Sequence, residues 1–315
     1  MRNPKVVAMG GGHGLSASLV ALGLLTPELT AVVTVADDGG SSGRIRRELG
    51  VLPPGDLRMA LAALAGEDGD GLAALLQHRF GGTGALAGHP VGNLLITGLI
   101  EHFHGDSVRA LATVGRMVGA RGCVLPMSPV PLEIAAVVSG LDRDHPTDVR
   151  RIRGQVAVAT TPGRVEAVAL VPPEPPACPE AVAAIRAADA VVLGPGSWFT
   201  SVLPHVLVPD LLAALVHTEA RIVVALNLAP QPGETEGFSP QELLEALSRH
   251  APDLTIHTVL ADEEAVVDRR GLTDTVHARG ARLVLAPVAA PDGSARHDPK
   301  LLAAALGPVI GVDIT

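Results

Sequence analysis

Lys5-Val6-Val7-Ala8-Met9 runs straight into Gly10-Gly11-Gly12-His13-Gly14-Leu15-Ser16. Thr30-Ala31-Val32-Val33-Thr34-Val35-Ala36 runs the same way into Asp37-Asp38-Gly39-Gly40-Ser41-Ser42-Gly43-Arg44. Each is a β-branched apolar run, then clustered glycines, then a segment with helical character, which reads as strand, turn, helix. Leu15, Leu19 and Leu22 place one apolar face on the first helix, and Pro27 closes it. Two such units in a row predict a parallel sheet with helices on its faces. Ligands of these sheets bind beyond the carboxyl ends of the strands, so both turns are expected to open onto one crevice.

Working outward, Ser41 or Ser42 is expected to cap a short helix over 44–49, and Asp56 to cap another over 57–65. Further helices are expected over 72–80, 94–103 and 107–118. From Cys123 to Val171 the pattern turns strand-like: 133–139, 155–161 and 165–171 read as strands of a meander or an edge addition to the sheet. Pro172-Pro173-Glu174-Pro175-Pro176 reads as a stiff linker. Ala190 to Leu193 is a buried strand ending in a further glycine turn, Gly194-Pro195-Gly196-Ser197, followed by Thr200-Ser201. Arg221 to Leu226 is another strand, ending in Asn227 and a loop that carries Gln231. Helices over 180–187, 240–249 and 300–306 and strands over 254–260 and 283–286 complete the pattern. The whole chain, 1–315, reads as one doubly wound α/β domain with an inserted β-rich section.

Composition narrows the function. The net charge is −9 and aromatic residues make up 2% of 315, so neither a phosphate-backbone footprint nor a stacking surface for nucleic acid is expected. The two cysteines, Cys123 and Cys178, have no partner motif, which suits a reducing cytoplasm rather than a disulfide framework or zinc site. No apolar run approaches the ~20 residues that span a bilayer, and no signal peptide is apparent.

The glycine turns carry the chemistry. Gly12-His13-Gly14-Leu15-Ser16-Ala17 fits a relaxed dinucleotide turn, in which glycines let the backbone approach a diphosphate and a helix N-terminus supplies free N–H groups. The alternative is a plain strand-to-helix turn. There is no P-loop lysine motif, which disfavours a P-loop kinase or ATPase. Asp37 can accept ribose hydroxyls, as in NAD-binding folds, or join Asp38 in holding Mg²⁺ beside a phosphate. Ser41, Ser42 and Gly43 form a second potential anion nest. Asn93 either starts a helix or directs an amide at a base or phosphate. His13 and His89 can act as acid or base near neutral pH, or simply pack and hydrogen-bond. His102 and His104 read as solvated helix-end residues.

Taken in order, several pieces resemble the YvcK-like branch of the CofD-related family, the gluconeogenesis factors. They are Gly10 to Ser16, Thr34 to Arg44, Pro54-Gly55-Asp56-Leu57-Arg58, Gly88-His89 with Gly92-Asn93-Leu94-Leu95, Gly194 to Ser197 with Thr200-Ser201, Asn227 with Gln231-Pro232-Gly233-Glu234-Thr235, and Arg296-His297-Asp298. His13 stands where that turn more often carries Thr, Leu57 where Ile is common, and Ala229-Pro230 where Met-Thr is usual. The resemblance implies a Rossmann-like three-layer αβα fold in a cytoplasmic bacterial protein that binds a UDP-sugar, UDP-N-acetylglucosamine above all. It also implies links to gluconeogenic growth, cell shape and peptidoglycan supply, with no catalysed reaction established for this branch. The CofD branch itself joins a phospholactate unit to a deazaflavin alcohol.

The leading reading is therefore a nucleotide-sugar-binding regulator that requires no cofactor and takes regulatory protein partners or a second copy of itself. Gly10, Gly11, Gly12, His13 and Gly14 with Gly194, Pro195, Gly196 and Ser197 would carry the diphosphate. Asn93, Asn227, Gln231 and Thr200 would supply directional hydrogen bonds, and Arg296 a charge-assisted contact. The alternative is an Mg²⁺-dependent transferase using Asp37 and Asp38. An NAD-dependent oxidoreductase ranks third.

Overall fold

The computed structural model describes residues 2–65 and 71–312. Ten strands fall into two sheets: β1 (Val6–Gly10), β2 (Leu29–Val33), β3 (Cys123–Pro126), β4 (Glu133–Ser139), β5 (Arg150–Arg153), β6 (Arg164–Val171), β7 (Ala190–Leu193), β8 (Arg221–Ala225), β9 (Thr258–Asp262) and β10 (Arg282–Ala286). The main sheet has seven strands in the order β10-β9-β8-β7-β1-β2-β3, every pair parallel. Every residue of β1 and β7 is buried. A parallel strand with helices on both faces meets water on neither, which explains the unbroken apolar runs. The chain builds outward from β1 to β3 on one side, then returns to β7 and builds outward to β10 on the other. The switch between the two directions lies between β1 and β7, where a doubly wound sheet opens its crevice.

The expected fold class is the observed one, with differences in the middle of the chain. β4, β5 and β6 form a separate antiparallel sheet rather than an edge of the main one. Residues 155–161 are not a strand. Gln155–Ala159 is a short helix, and the strand that pairs with β4 is the preceding arginine-rich β5. The β-branched Val156 and Val158 suggested a strand. Tertiary context wins instead, because Asp38 Oδ1 accepts the Val156 N–H (3.0 Å) and holds the first turn of the helix. The proline run 172–176 leads directly into buried Ala177 and Cys178 and the helix Pro179–Arg186.

Two capping expectations also change. The helix Gly40–Leu49 starts at Gly39, so Ser41 and Ser42 lie inside its first turn, free to bond elsewhere. The helix Pro54–Ala65 begins two residues before Asp56, which points its carboxyl away from the helix end. The strand expected over 254–260 starts later, at Thr258. The helices Pro209–His217 and Arg269–His277 were not anticipated. At the end of the chain, Asp298 caps the helix Pro299–Ile310 as expected, accepting from the Lys300 and Leu301 N–H groups.

Among the described residues no single helix is long and apolar enough to cross a membrane. The consecutive segments Trp198–Val206 and Pro209–His217 pass together by length and composition. They are bent by 73°, and Trp198, Phe199, Leu203 and Leu211 are buried in the core.

One close approach holds the switch point together. A Cβ built on Gly14 would lie 2.7 Å from Gly196 Cα and closer still to the Pro195 carbonyl oxygen. Backbone cannot yield as a side-chain tip can. Gly14→Ala is expected to destabilise the fold by about 1–3 kcal/mol, read as a lower melting temperature. A wild-type melting temperature would show that the two turns can separate freely.

Candidate functional site

The loops after β1, β7 and β8 meet at the switch point and enclose a cavity of about 420 Å³. Its wall includes His13, Gly14, Pro195, Gly196, Asn227 and Gln231, with Arg296 and His297 closing it from the segment after β10. That volume falls in the ~300–1,000 Å³ range of small-molecule sites. Six residues of the β1, β7 and β8 turns singled out in the sequence thus share one cleft with Arg296. Gly10, Gly11 and Gly12 lead into it along β1 and the helix start.

Several of these groups are already engaged. Asn227 clamps Gly196: its Oδ1 accepts the Gly196 N–H (2.9 Å) and its Nδ2 donates to the Gly196 carbonyl (2.8 Å). The amide positions the turn, and Gly194, at φ +77, gives the turn a backbone conformation that side chains disfavour. Behind Ser197, residues Trp198–Val202 form a π-helical turn, with the Val202 N–H donating to the Ser197 carbonyl (3.0 Å). Glu234 fills the start of that turn. Its Oε1 accepts the N–H groups of Phe199 (2.8 Å) and Thr200 (2.9 Å), and Ser197 bonds the same carboxyl. Burial pushes the Glu234 carboxyl above its ordinary range, against the pull of these hydrogen bonds. The chain therefore supplies its own anion where a helix start would otherwise hold a ligand phosphate. Thr200 is 1% exposed and faces this carboxylate rather than the cleft. Trp198 beside it is fully buried.

Arg296 lies on the rim, with its side chain 73% exposed and paired with Asp292 (2.8 Å). His297 is hydrogen-bonded to the Leu226 backbone, and burial lowers its pKa.

The residues of the second glycine turn take a different place. Asp37 Oδ1 accepts the Gly39 N–H (2.9 Å), and its carboxyl also bonds Ser42. Asp38 turns the other way, to Val156 and Gly154. Asp37 and Asp38 therefore do not present a common face. The Asp38 charge still acts on Asp37, and the Asp37 charge acts in turn on Asp56, which bonds the backbone of Gly12. Loss of solvent raises Asp56 from 3.8 to about 7, and the Asp37 charge adds to the rise. Desolvation also raises Asp37. Ser42 Oγ accepts the Gly55 N–H (3.0 Å), and Gly43 packs against the Asp38 carbonyl. Arg44, which is not spare, donates to the Ala87 carbonyl (2.7 Å). Asn93 and His89 join Ser41 in a buried network. Asn93 Nδ2 donates to Ser41 Oγ (2.9 Å), and Ser41 Oγ meets His89 Nδ1 (2.7 Å). None of these three lines the cleft.

Three residues that the sequence reading left out of the site now stand in or beside it: Asp56, Glu234 and His297. All three lie in stretches singled out as motifs, but their chemistry depends on burial, which spacing alone does not report. Among the described residues no group of three or more His, Cys, Asp or Glu side chains is placed to hold a metal ion.

An open crevice lined by glycine turns at the switch point of a doubly wound parallel sheet defines the class as a Rossmann-like α/β protein, and comparison with known proteins specifies its family. The family model for 2-phospho-L-lactate transferase CofD matches residues 6–285, and the chain belongs to the CofD family. Within it, the similar curated proteins are gluconeogenesis factors. A Mycobacterium tuberculosis protein named "Putative gluconeogenesis factor" is 57% identical over 98% of this chain and 91% of its own length. The Bacillus subtilis gluconeogenesis factor is 37% identical over 85% of this chain and 81% of its own length. A crystal structure of a UPF0052 family member from Bacillus halodurans superposes with a TM-score of 0.86 at 33% identity, covering 97% of this chain and 99% of that one.

A titration prediction follows from Asp56. Its folded-state pKa is raised, so its contribution to stability is complete below the ordinary carboxylate range and is lost as pH rises through about 7. Between pH ~5 and ~8 the melting temperature of the wild type is expected to fall more than that of Asp56→Asn. Parallel profiles would show that Asp56 titrates as an ordinary surface carboxyl.

Proposed function

We propose that this protein binds a UDP-sugar, UDP-N-acetylglucosamine above all, and acts as a regulator rather than by turning that ligand over. The observation that carries the reading is the cleft at the switch point, where backbone from three strand ends converges with an exposed cation, Arg296. The diphosphate lies along Gly12 to Gly14 and Gly196, with Asn227 fixing the Gly196 peptide for it. Arg296 exchanges its partner Asp292 for the diphosphate. The sugar identity and the link to gluconeogenic growth, cell shape and peptidoglycan supply come from the family resemblance. The gluconeogenesis-factor names of the relatives support the first of these links. Arg296 and His297 stand past residue 285, where the CofD family match ends, so this wall of the cleft is the part free to select a different ligand.

A second reading has its own observation. Asp37 and Asp56, both raised by burial, suit one hard divalent cation better than the Asp37–Asp38 pair, whose second member is engaged with Val156. Mg²⁺ characteristically takes one or two carboxylates and completes its shell with water and substrate phosphates. Bound there, it would stabilise charge developing on a phosphoryl group in a transferase reaction.

Calorimetry with a panel of UDP-sugars is expected to give saturable binding, strongest for UDP-N-acetylglucosamine. No heat and no thermal shift with any of them would end the proposal. Arg296→Ala is expected to weaken binding by roughly 1.5–3 kcal/mol, about ten- to over a hundredfold, with an unchanged melting temperature. Arg296→Lys is expected to recover part of it, since an ammonium lacks the planar fork. Chromatography after incubation with Mg²⁺ is expected to show intact UDP-sugar. Stoichiometric release of UDP, UMP or pyrophosphate, abolished in Asp56→Asn, would instead establish the transferase.

A further inference from the structure

On the other side of His13 from the nucleotide cleft lies a second groove, about 520 Å³ in volume. The helices Gly12–Gly23, Pro54–Ala65 and Leu72–Gln77 form its walls, and its polar end carries His13, Ser16, Arg58, Gln77 and Arg79. Arg58 is 4% exposed, yet among the described residues its Nε and Nη1 have no hydrogen-bond partner. Its stem is pinned by close packing on Gly92, where an added Cβ would come 2.8 Å from Arg58 Cγ. A buried, unpaired guanidinium costs stability unless an anion compensates it. Among the described residues no carboxylate bonds Nε or Nη1 of Arg58. Burial and the like charge of Arg79 lower its pKa to about 10, while Asp56 and Asp37 pull the other way, each less strongly than Arg79. Arg79 itself is exposed, tethered by one N–H to the Gly88 carbonyl (2.8 Å). Among the described residues the groove thus carries two cations and no carboxylate in its lining. Beyond the cations its lining is apolar, with Val20, Ala62 and Ala63.

We propose that this groove binds a second small ligand carrying a phosphate or carboxylate group, held between Arg58 and Arg79, with its organic part along the alanine-lined wall. Arg58 does not line the nucleotide cleft, and of the residues discussed only His13 faces both. The anion is therefore carried by a molecule other than the nucleotide. That distinction rests on the nucleotide reading of the first cleft, whereas anion binding at Arg58 does not. His13, standing where the related turn more often has Thr, becomes the partition through which the two ligands sense one another.

The test uses inorganic phosphate and, separately, acetate, titrated into the purified protein by calorimetry and thermal shift. Both titrations are made on the free protein and on protein saturated with UDP-N-acetylglucosamine. Binding of at least one anion is expected in both states, and the arm that binds tells phosphate from carboxylate. Arg58→Met keeps the stem and removes the unpaired N–H groups. It is expected to weaken that anion by roughly ten- to a hundredfold and, in anion-free buffer, to melt higher than the wild type. Arg79→Ala, an exposed change, should weaken the anion without altering the melting temperature, and Arg296→Ala should leave it unaffected. Wild-type anion affinity in Arg58→Met and Arg79→Ala, or no binding of either anion, would overturn the proposal. Displacement of the anion by the UDP-sugar would assign the cations to the nucleotide and overturn it as well. Should the UDP-sugar itself fail to bind, the titrations of the free protein still decide the matter.

Discussion

Everything at the switch point depends on two backbones touching. Gly14 and the Pro195–Gly196 peptide meet with no room for a methyl group, so the glycine turns after β1 and β7 form one surface rather than two neighbouring loops. β1 and β7 bring them there through parallel pairing from Val6 with Ala190 to Met9 with Leu193. The Asn227 amide, at the end of β8, then grips Gly196 by both its N–H and its carbonyl. Three adjacent strand ends are thereby locked into a single rigid lip. A binding site assembled this way loses little freedom when a ligand arrives, since its backbone donors are already in position.

Around that lip the charges are arranged by sign and depth. Glu234 is buried and bonds the start of the π-helical turn. Asp37 and Asp56 come next, under the first glycine turn, with both carboxyls held above their usual range. Arg296 stands outermost, and its partner Asp292 is itself exposed. An acidic protein can then attract a phosphate through peptide dipoles and a rim cation while keeping its buried negative charge bonded or protonated.

The strand-turn-helix units at the start of the chain were legible because their signal is local: β-branched runs, glycines and a leucine face follow one another within a few residues. The strand Ala190 to Leu193 and the Asp298 cap were legible for the same reason. The region 150–161 was not, because Val156 and Val158 carry a strand's composition while Asp38, over a hundred residues away in sequence, holds them as a helix. The site divides along the same line. Gly14, Gly196, Asn227, Gln231 and Arg296 could be gathered from motifs, and the fold brings them together. That Asn227 serves Gly196, that Thr200 serves Glu234, and that the buried Asp56 carboxyl feels the charge of Asp37 are facts of packing between distant segments. Residue order does not encode them in readable form.

The chain contains one tryptophan and no tyrosine. That tryptophan, Trp198, is fully buried in the turn that continues from Gly196 and Ser197 and that Glu234 holds closed. Among the described residues its indole N–H has no hydrogen-bond partner, so the chromophore is shielded from water and reports on the packing around it. The near-ultraviolet emission of the protein therefore comes from one point, two residues from the peptide that forms the cleft wall. Spectroscopically, the molecule is already labelled at the glycine turn after β7, with no second tryptophan and no tyrosine in the chain.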